Sequence, residues 1–335
     1  MGQVREDIKR LAVVVVTFKR QELLSNLMDS FLALTSAPWR FVFVDNENSD
    51  ATREIVEGFS RRVEELWGPA AEPDALGGTN RVVYAPQAEN LGGSGGFSKG
   101  VERAYELGAE WLWLMDDDVL VEPEAIARLS KWTDGHEVVQ GRRYDYDGGP
   151  FYWQYRFIVP LGIYNPLAPS AFEEGGCKET NVMCFEGCLV KRTIVERIGL
   201  PDPRFFIYWD DALYGYLASK VTAPIAVGDF ILRRSREMRG WEMGAVRQLN
   251  STSDMNRYYI MRNRGFMARY FAEHGDYNRI LFGLGTLLTF AKETVRLLAV
   301  DRAHLRTGMA SLFRGWRASR PILRDGSWKP MPPLS

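Results

Sequence analysis

Histidine is scarce in this 335-residue chain: there are three, and none falls between residues 137 and 273. Cysteine is equally scarce, with Cys177, Cys184 and Cys188 confined to one stretch. An odd, clustered set without a Cys-x-x-Cys pair argues against a disulfide scaffold and for a reduced, cytosolic setting. With no histidine nearby to complete a tetrahedral shell, the three read as small buried hydrophobes rather than zinc ligands. Net charge is nearly absent too, at −1, so no global field points to a nucleic-acid partner. Long apolar runs are also missing. Leu11 to Val16 is too short for a signal peptide, and Glu6 breaks the myristoylation pattern that Gly2 would open. Ile280 to Ala291 falls short of the ~20 residues a membrane span needs.

What is present is an ordinary globular composition, 46% hydrophobic and 25% charged, which excludes a disordered chain. The length allows one large α/β domain with a helical appendage. Aromatics, at 13%, suit a protein that binds sugar or lipid, although large cores use them as well.

The first half alternates between two periodicities. Leu11 to Thr17 has the continuous apolarity of a strand buried on both faces, and residues 21 to 34 carry apolar side chains at helical spacing. A strand over Arg40 to Val44 precedes a helix that Ser49 caps, expected to run through Phe59. An insertion rich in Gly, Pro and Ala follows, from Arg61 to Thr79. Then come a strand over Arg81 to Tyr84, a glycine-rich loop over Asn90 to Gly96, a helix from Phe97 to Gly108 and a strand over Trp111 to Met115. Such alternation predicts a parallel sheet with helices on both faces, and ligands beyond the carboxyl ends of its strands. Residues 138 to 190 read as shorter strands, with a Tyr/Trp-rich hairpin around Tyr144 to Pro160. A helix starts near Asp210, and three more cover about 254 to 273, 277 to 300 and 303 to 317.

The polar motifs collect at those strand ends. Asp116-Asp117-Asp118 closes a strand, and alternation puts the first and third carboxylates on one side. Beside a diphosphate they offer the hard oxygen ligands that Mg²⁺ or Mn²⁺ wants; a solvated acidic turn is the plain alternative. Asn90-Leu-Gly-Gly-Ser-Gly-Gly-Phe-Ser-Lys-Gly100 matches neither a Walker A loop nor a dinucleotide fingerprint. Its glycines would still let backbone approach a ligand at a helix N-terminus, or form a flexible surface turn. Asp45-Asn46 would bond a base or ribose, or form an Asx turn. In Tyr208-Trp209-Asp210-Asp211 a carboxylate would serve as general base, with Trp209 stacking on a sugar; helix capping by Asp210 is the alternative. Arg257 and Arg264 share a helix face with Asn263 beside them, suited to pyrophosphate or to plain solvation.

Together these segments resemble the family 2 glycosyltransferases of the GT-A fold. The resemblance runs through Val13-Val-Val-Val-Thr17, Val44-Asp45-Asn46, Asn90 to Phe97, Leu114-Met-Asp-Asp-Asp118, Phe185-Glu-Gly187, Phe205 to Asp211 and Arg257 to Asn263, about residues 8 to 265. It is strongest with bacterial rhamnosyl- and galactofuranosyltransferases of cell-wall glycolipid synthesis. The resemblance implies a GT-A, Rossmann-like mixed sheet over residues 1–245 and a C-terminal helical region over 246–335. It implies a nucleotide-sugar site at Thr17, Asp45, Asn46, Asn90, Gly92, Gly93, Gly95, Gly96, Asp116 and Asp117. A metal, Mn²⁺ or Mg²⁺, would sit on Asp116 and Asp118, and Asp211 or Asp210 would be the base. Trp209, Arg257, Tyr258, Arg262 and Asn263 would meet the acceptor or its phosphates. The chain departs from many relatives in lacking a histidine after the base region, since Val227 to Gly244 holds none, and in continuing Asp-Asp with Ala-Leu-Tyr.

The implied activity is inverting, metal-dependent transfer of galactofuranose from UDP-galactofuranose to a polyprenyl-diphosphate-linked glycan; dTDP-rhamnose is the other donor. A sugar-1-phosphate nucleotidyltransferase would want a basic glycine loop after its first strand, and Thr17-Phe-Lys-Arg20 is a poor one. A catalytically silent sugar-nucleotide-binding protein is the remaining alternative. In the tail, Ile280 to Val300 is apolar with basic residues alongside, and more arginines follow. This predicts a peripheral helix at the inner face of the plasma membrane, or one packed in the fold or in a homo-oligomer.

Overall fold

The computed structural model describes residues 6–151, 155–167, 176–237, 240–243 and 247–334. Four parallel strands form the centre of its main sheet: β1 (Leu11–Thr17), β2 (Arg40–Asp45), β3 (Val82–Pro86) and β4 (Trp111–Asp116), in the order β3-β2-β1-β4. β1 is buried along its whole length because each face meets a different core. Ala12, Val14 and Val16 enter one apolar cluster, and Leu11, Val13 and Val15 enter the other. This is the two-residue period of a strand covered on both sides.

Helices α1 (Gln21–Leu32) and α2 (Asp50–Trp67) cover one face. Ser49 caps α2 by accepting from the Thr52 amide, and the helix runs eight residues past Phe59, into the segment expected to be an insertion. α3 (Gly92–Leu107) covers the other face. The glycine run is thus not a loop before the helix but its first turns. The reason is tertiary: a Cβ on Gly96 would lie 2.4 Å from Val16, and one on Gly100 would lie 2.3 Å from Val14. Only glycine lets this helix lie so close on the sheet, which outweighs its poor helix propensity.

Beyond β4 the sheet turns mixed. β5 (Val119–Val121), β6 (Val138–Tyr144), β7 (Pro150–Phe151), β10 (Cys177–Glu179), β11 (Cys188–Lys191) and β12 (Ile225–Arg234) extend it, so that ten strands join among the described residues. β11 runs antiparallel between β4 and β6. The expected aromatic hairpin is divided: β7 turns back on β6, while β8 (Tyr155–Ile158) and β9 (Ile163–Pro166) make a separate ribbon. Residues 152–154 of that segment lie outside the described residues. β13 (Gly240–Met243) and β14 (Arg247–Asn250) form another two-stranded ribbon. Short helices α4 (Ala125–Ser130), α5 (Arg192–Ile198) and α6 (Asp210–Ala218) complete the layers.

The C-terminal part is helical: α7 (Asp254–Arg262), α8 (Arg264–Glu273), α9 (Arg279–Ala299) and α10 (Leu305–Arg324). One continuous helix was expected over 254 to 273, but Asn263 divides it. Side chains from all four helices, Met261, Phe271, Leu297 and Leu312 among them, belong to the same apolar cluster as Val14 and Val44 of the sheet. Cys184 and Cys188 are buried as expected, whereas Cys177 is exposed at the sheet's edge.

Candidate active site

At the end of β4 the pleat separates the three aspartates. Asp117 turns inward, where it accepts from the Thr17 hydroxyl at 2.7 Å and from Arg20 at 2.9 Å. Asp116 and Asp118 face the other way and meet Glu186, with one oxygen of each carboxylate within 4.8 Å of the others. Glu186 arrives there through long-range pairing. Cys188 of β11 lies opposite Leu114 of β4, and the Gly187 amide donates to the Leu114 carbonyl at 2.7 Å. Burial pushes the Asp116 carboxyl well above the usual range, and Asp118, Glu186 and Asp117 push it further, with Arg20 opposing. Arg20 also reaches Asp118 at 3.3 Å, Arg236 pairs with Asp118 at 2.8 Å, and Arg143 pairs with Glu186. Three crowded hard-oxygen donors fit Mg²⁺ or Mn²⁺ on ligand chemistry, and the arginines show that the site gathers positive charge.

The second acidic group sits on a strained turn. Phe206, Tyr208 and Trp209 all adopt left-handed backbone, with φ of 64°, 68° and 70°. Non-glycine residues in this region cost on the order of 1–3 kcal/mol each, so the surroundings must impose it. They do so from two directions. Asn263, fully buried, donates to the carbonyls of Phe205, Ile207 and Tyr208 at 2.9, 2.8 and 3.0 Å. Arg262 donates to the Arg204 carbonyl at 3.0 Å, and the Trp209 indole to the Ile260 carbonyl at 3.0 Å. From the opposite side, Ser94 of α3 donates its amide to Phe206 at 3.1 Å and its hydroxyl to the Asp202 carbonyl at 2.6 Å. Gly92, at φ +71°, lets the Phe206 carbonyl approach where a Cβ would lie 2.2 Å from it.

This clamped turn delivers Asp210 and Asp211 at the start of α6. Burial raises the Asp211 carboxyl, and Asp210 and Glu186 raise it further, against the Ala212 amide and Arg143. Asp210 is raised by burial, with backbone amides opposing. Glu186 acts on both Asp116 and Asp211, so the triad and the pair share one electrostatic environment.

Several residues expected at the ligand face the protein instead. Asp45 is fully buried and accepts from the Glu47 and Ser49 amides and the Tyr84 hydroxyl, at 2.8, 3.1 and 2.7 Å, because β2 ends inside the sheet. Thr17 and Asp117 bond to each other. Asn46 donates to the Gly92 carbonyl at 3.0 Å and leaves its buried Oδ1 without a partner. Asn90 is exposed and accepts from the Gly92 amide at 2.9 Å. Gly95 and Gly96 press on Leu91 and Val16, while Gly93 has open space where a side chain would be. Trp209 is no stacking platform: Tyr164 stacks on it at 5.0 Å. Arg257 is fully buried in ion pairs with Asp254 and Asp301. Tyr258 is half-buried, edge-on to Tyr259. Asn263 holds the turn rather than a phosphate.

Glu186 and the arginines around the triad are the residues that sequence reasoning missed as site groups. Phe185-Glu-Gly187 was visible as a motif, but only the pairing of β11 with β4 places its carboxylate.

The profile of "Glycosyl transferase family 2" matches residues 12–199. The galactofuranosyltransferase GlfT1 of Mycobacterium tuberculosis (strain CDC 1551 / Oshkosh) is 35% identical over 208 residues, 59% of this chain and 60% of that protein. GlfT1 of Mycolicibacterium smegmatis is 28% identical over 207 residues, 60% and 62% of the two chains. The aligned region thus spans about three fifths of these relatives. Among solved structures, the mannosyltransferase PcManGT of Pyrobaculum calidifontis with GDP-Man and Mn²⁺ aligns over 97% of this chain and 91% of its own, at TM-score 0.51 and 13% identity. GalNAc-T7 with UDP, GalNAc and Mn²⁺ covers 70% and 44%, at TM-score 0.52 and 15% identity. These two establish the likeness of fold alone, a GT-A glycosyltransferase architecture. The profile match, spanning more than half the chain, establishes that this protein belongs to glycosyltransferase family 2.

Proposed function

We propose that this protein transfers a sugar from a nucleotide diphosphate to an acceptor hydroxyl with inversion, using Asp211 as base and a divalent ion held by Asp116, Asp118 and Glu186. The observation that carries the reading is the convergence of those three carboxylates at strand ends, in the same field as the raised Asp210–Asp211 pair. A bound ion of this kind neutralises charge developing on a departing diphosphate. Asp211 takes the acceptor proton, the acceptor oxygen forms its bond to the anomeric carbon, and the bond to the diphosphate breaks with its electron pair leaving on the nucleotide. Burial favours this role, since a carboxyl raised toward neutral pH is a stronger base than a solvated one. The clamp of Asn263 and Ser94 fixes where that carboxylate points.

Galactofuranose from UDP-galactofuranose is the favoured donor, supported by the similarity to the two GlfT1 proteins. The acceptor in this reading is a polyprenyl-diphosphate-linked glycan met at the inner face of the plasma membrane. Residues 1–245 hold the donor and the chemistry, and residues 246–335 serve the acceptor side. The test is to supply UDP-galactofuranose or dTDP-rhamnose with Mn²⁺ and a short lipid-linked glycan, and to read the product's anomeric configuration by NMR. Inverted galactofuranoside supports the reading. A retained configuration overturns the mechanism, rhamnoside overturns the donor, and binding without turnover returns the protein to the silent-binding class.

A further inference from the structure

α9 presents two apolar faces, and only one of them is covered. Phe282, Gly285, Thr289, Glu293 and Leu297 are buried against the protein. On the opposite side Ile280, Leu284, Leu287, Leu288, Val295 and Leu298 are exposed, Ile280 by 82% and Leu287 by 55%. Their spacing of three, four and seven residues puts them on one stripe along a 21-residue helix, about 31 Å long. An uncovered apolar stripe of this extent marks an interaction surface rather than chance exposure.

Charge decides what covers it. Residues 279–324 carry nine lysines and arginines against two acids, in a chain whose net charge is −1. Both acids are buried and paired, Glu293 with Arg296 at 2.7 Å and Asp301 with Arg257. α10 has five arginines and no acid at all. A second copy docking symmetrically would bring two basic surfaces together with no exposed acid between residues 279 and 324 to pair them. An anionic lipid surface accepts both the stripe and the charge. No helix among the described residues is long and apolar enough to cross a membrane.

We infer that the exposed face of α9, flanked by the arginines of α10, docks this protein on an anionic lipid bilayer. This rests on the membrane-side part of the reading above and on nothing about the donor sugar.

The full chain is floated with vesicles of phosphatidylcholine alone and of equal parts phosphatidylcholine and phosphatidylglycerol, without sugar nucleotide. The protein is expected to float with the mixed vesicles and to stay behind with the neutral ones. Leu284→Gln, Leu287→Gln and Leu288→Gln together are expected to weaken flotation at least about tenfold. Arg306→Gln, Arg317→Gln and Arg324→Gln together are expected to weaken it about a hundredfold, at roughly 1 kcal/mol per arginine lost. All six positions are exposed, and far-UV circular dichroism melting checks that each variant still folds. Failure to float, or equal flotation on both vesicles, overturns the inference. So does a wild-type dimer in light scattering that the leucine variant turns into monomer, since a second copy would then be the occupant. Each result stands whether or not UDP-galactofuranose proves to be the donor.

Discussion

Asp116, Asp118 and Glu186 stand at strand ends with Arg20, Arg143 and Arg236 drawn up to them, whereas Asp210 and Asp211 open α6 after a left-handed turn, where no ion pair reaches either among the described residues. The first group concentrates negative charge and meets it with cations, which supports the proposal that it holds a divalent ion. The second is half-buried and forms no ion pair, so desolvation raises its carboxyls. Two acidic clusters that share the field of Glu186 thus differ by the company they keep, one suited to a cation and the other to moving a proton.

The sharpest way to separate them is Asp211→Asn. Turnover is expected to fall about 10²–10⁴-fold while the dissociation constant for UDP with Mn²⁺ stays unchanged. Calorimetric titration beside a rate assay checks this, and a retained rate removes Asp211 from the chemistry.

Next in size is Asn263→Ala. Losing three hydrogen bonds to a strained turn is expected to cost about 1–3 kcal/mol in stability, read from urea melts. A purely structural defect would stop there. A positioning role adds a lowered kcat with donor affinity intact, and a parallel loss of donor binding would count against it.

The proton-holding half of the comparison has a pH signature. The folded-state value of Asp211 is raised above its unfolded value near ~4, so its contribution to stability is complete below about pH 4 and lost as pH rises through the raised value. Asp211→Asn removes that loss. The variant is therefore expected to gain about 1 kcal/mol or more over wild type between mildly acid and mildly alkaline pH. Parallel Tm curves across that range would show that Asp211 is not raised.

The smallest expected effect concerns the arginine-paired half. Arg236→Gln should tighten Mn²⁺ binding by no more than about fivefold, because a partly exposed ion pair is worth roughly 0–1 kcal/mol. Weaker Mn²⁺ binding would mean that Arg236 supports the site rather than competing with the ion.

The alternating strands and helices of the sheet centre were legible because β1 and β2 carry apolar, largely β-branched or aromatic runs and Ser49 announces the next helix. The aspartates at β4 were legible for the same reason: pleat alternation is a local rule, and it correctly set Asp117 apart from Asp116 and Asp118. Long-range contacts were not legible. Glu186 joins the triad through an antiparallel pairing to a strand more than seventy residues earlier, which no spacing encodes. The glycine run was misread because helix propensity is local, while the close approach of α3 to Val14 and Val16 is tertiary. Arg257 was correctly placed on a helix, whereas Asn263 falls at the break between α7 and α8. Which face met solvent depended on Asp301 and on the carbonyls of residues 205–208, all far away in sequence.

Thermal unfolding of wild type, Glu186→Gln and Asp211→Asn with UDP, with and without Mn²⁺, tests the carboxylate triad most directly. A ligand at 100 times its Kd adds about 2.7 kcal/mol to the folded state. The expected result is Mn²⁺-dependent stabilisation of wild type and Asp211→Asn, lost in Glu186→Gln. Equal stabilisation of Glu186→Gln, or stabilisation by UDP that ignores Mn²⁺, would contradict the assignment of the carboxylate triad as the metal site.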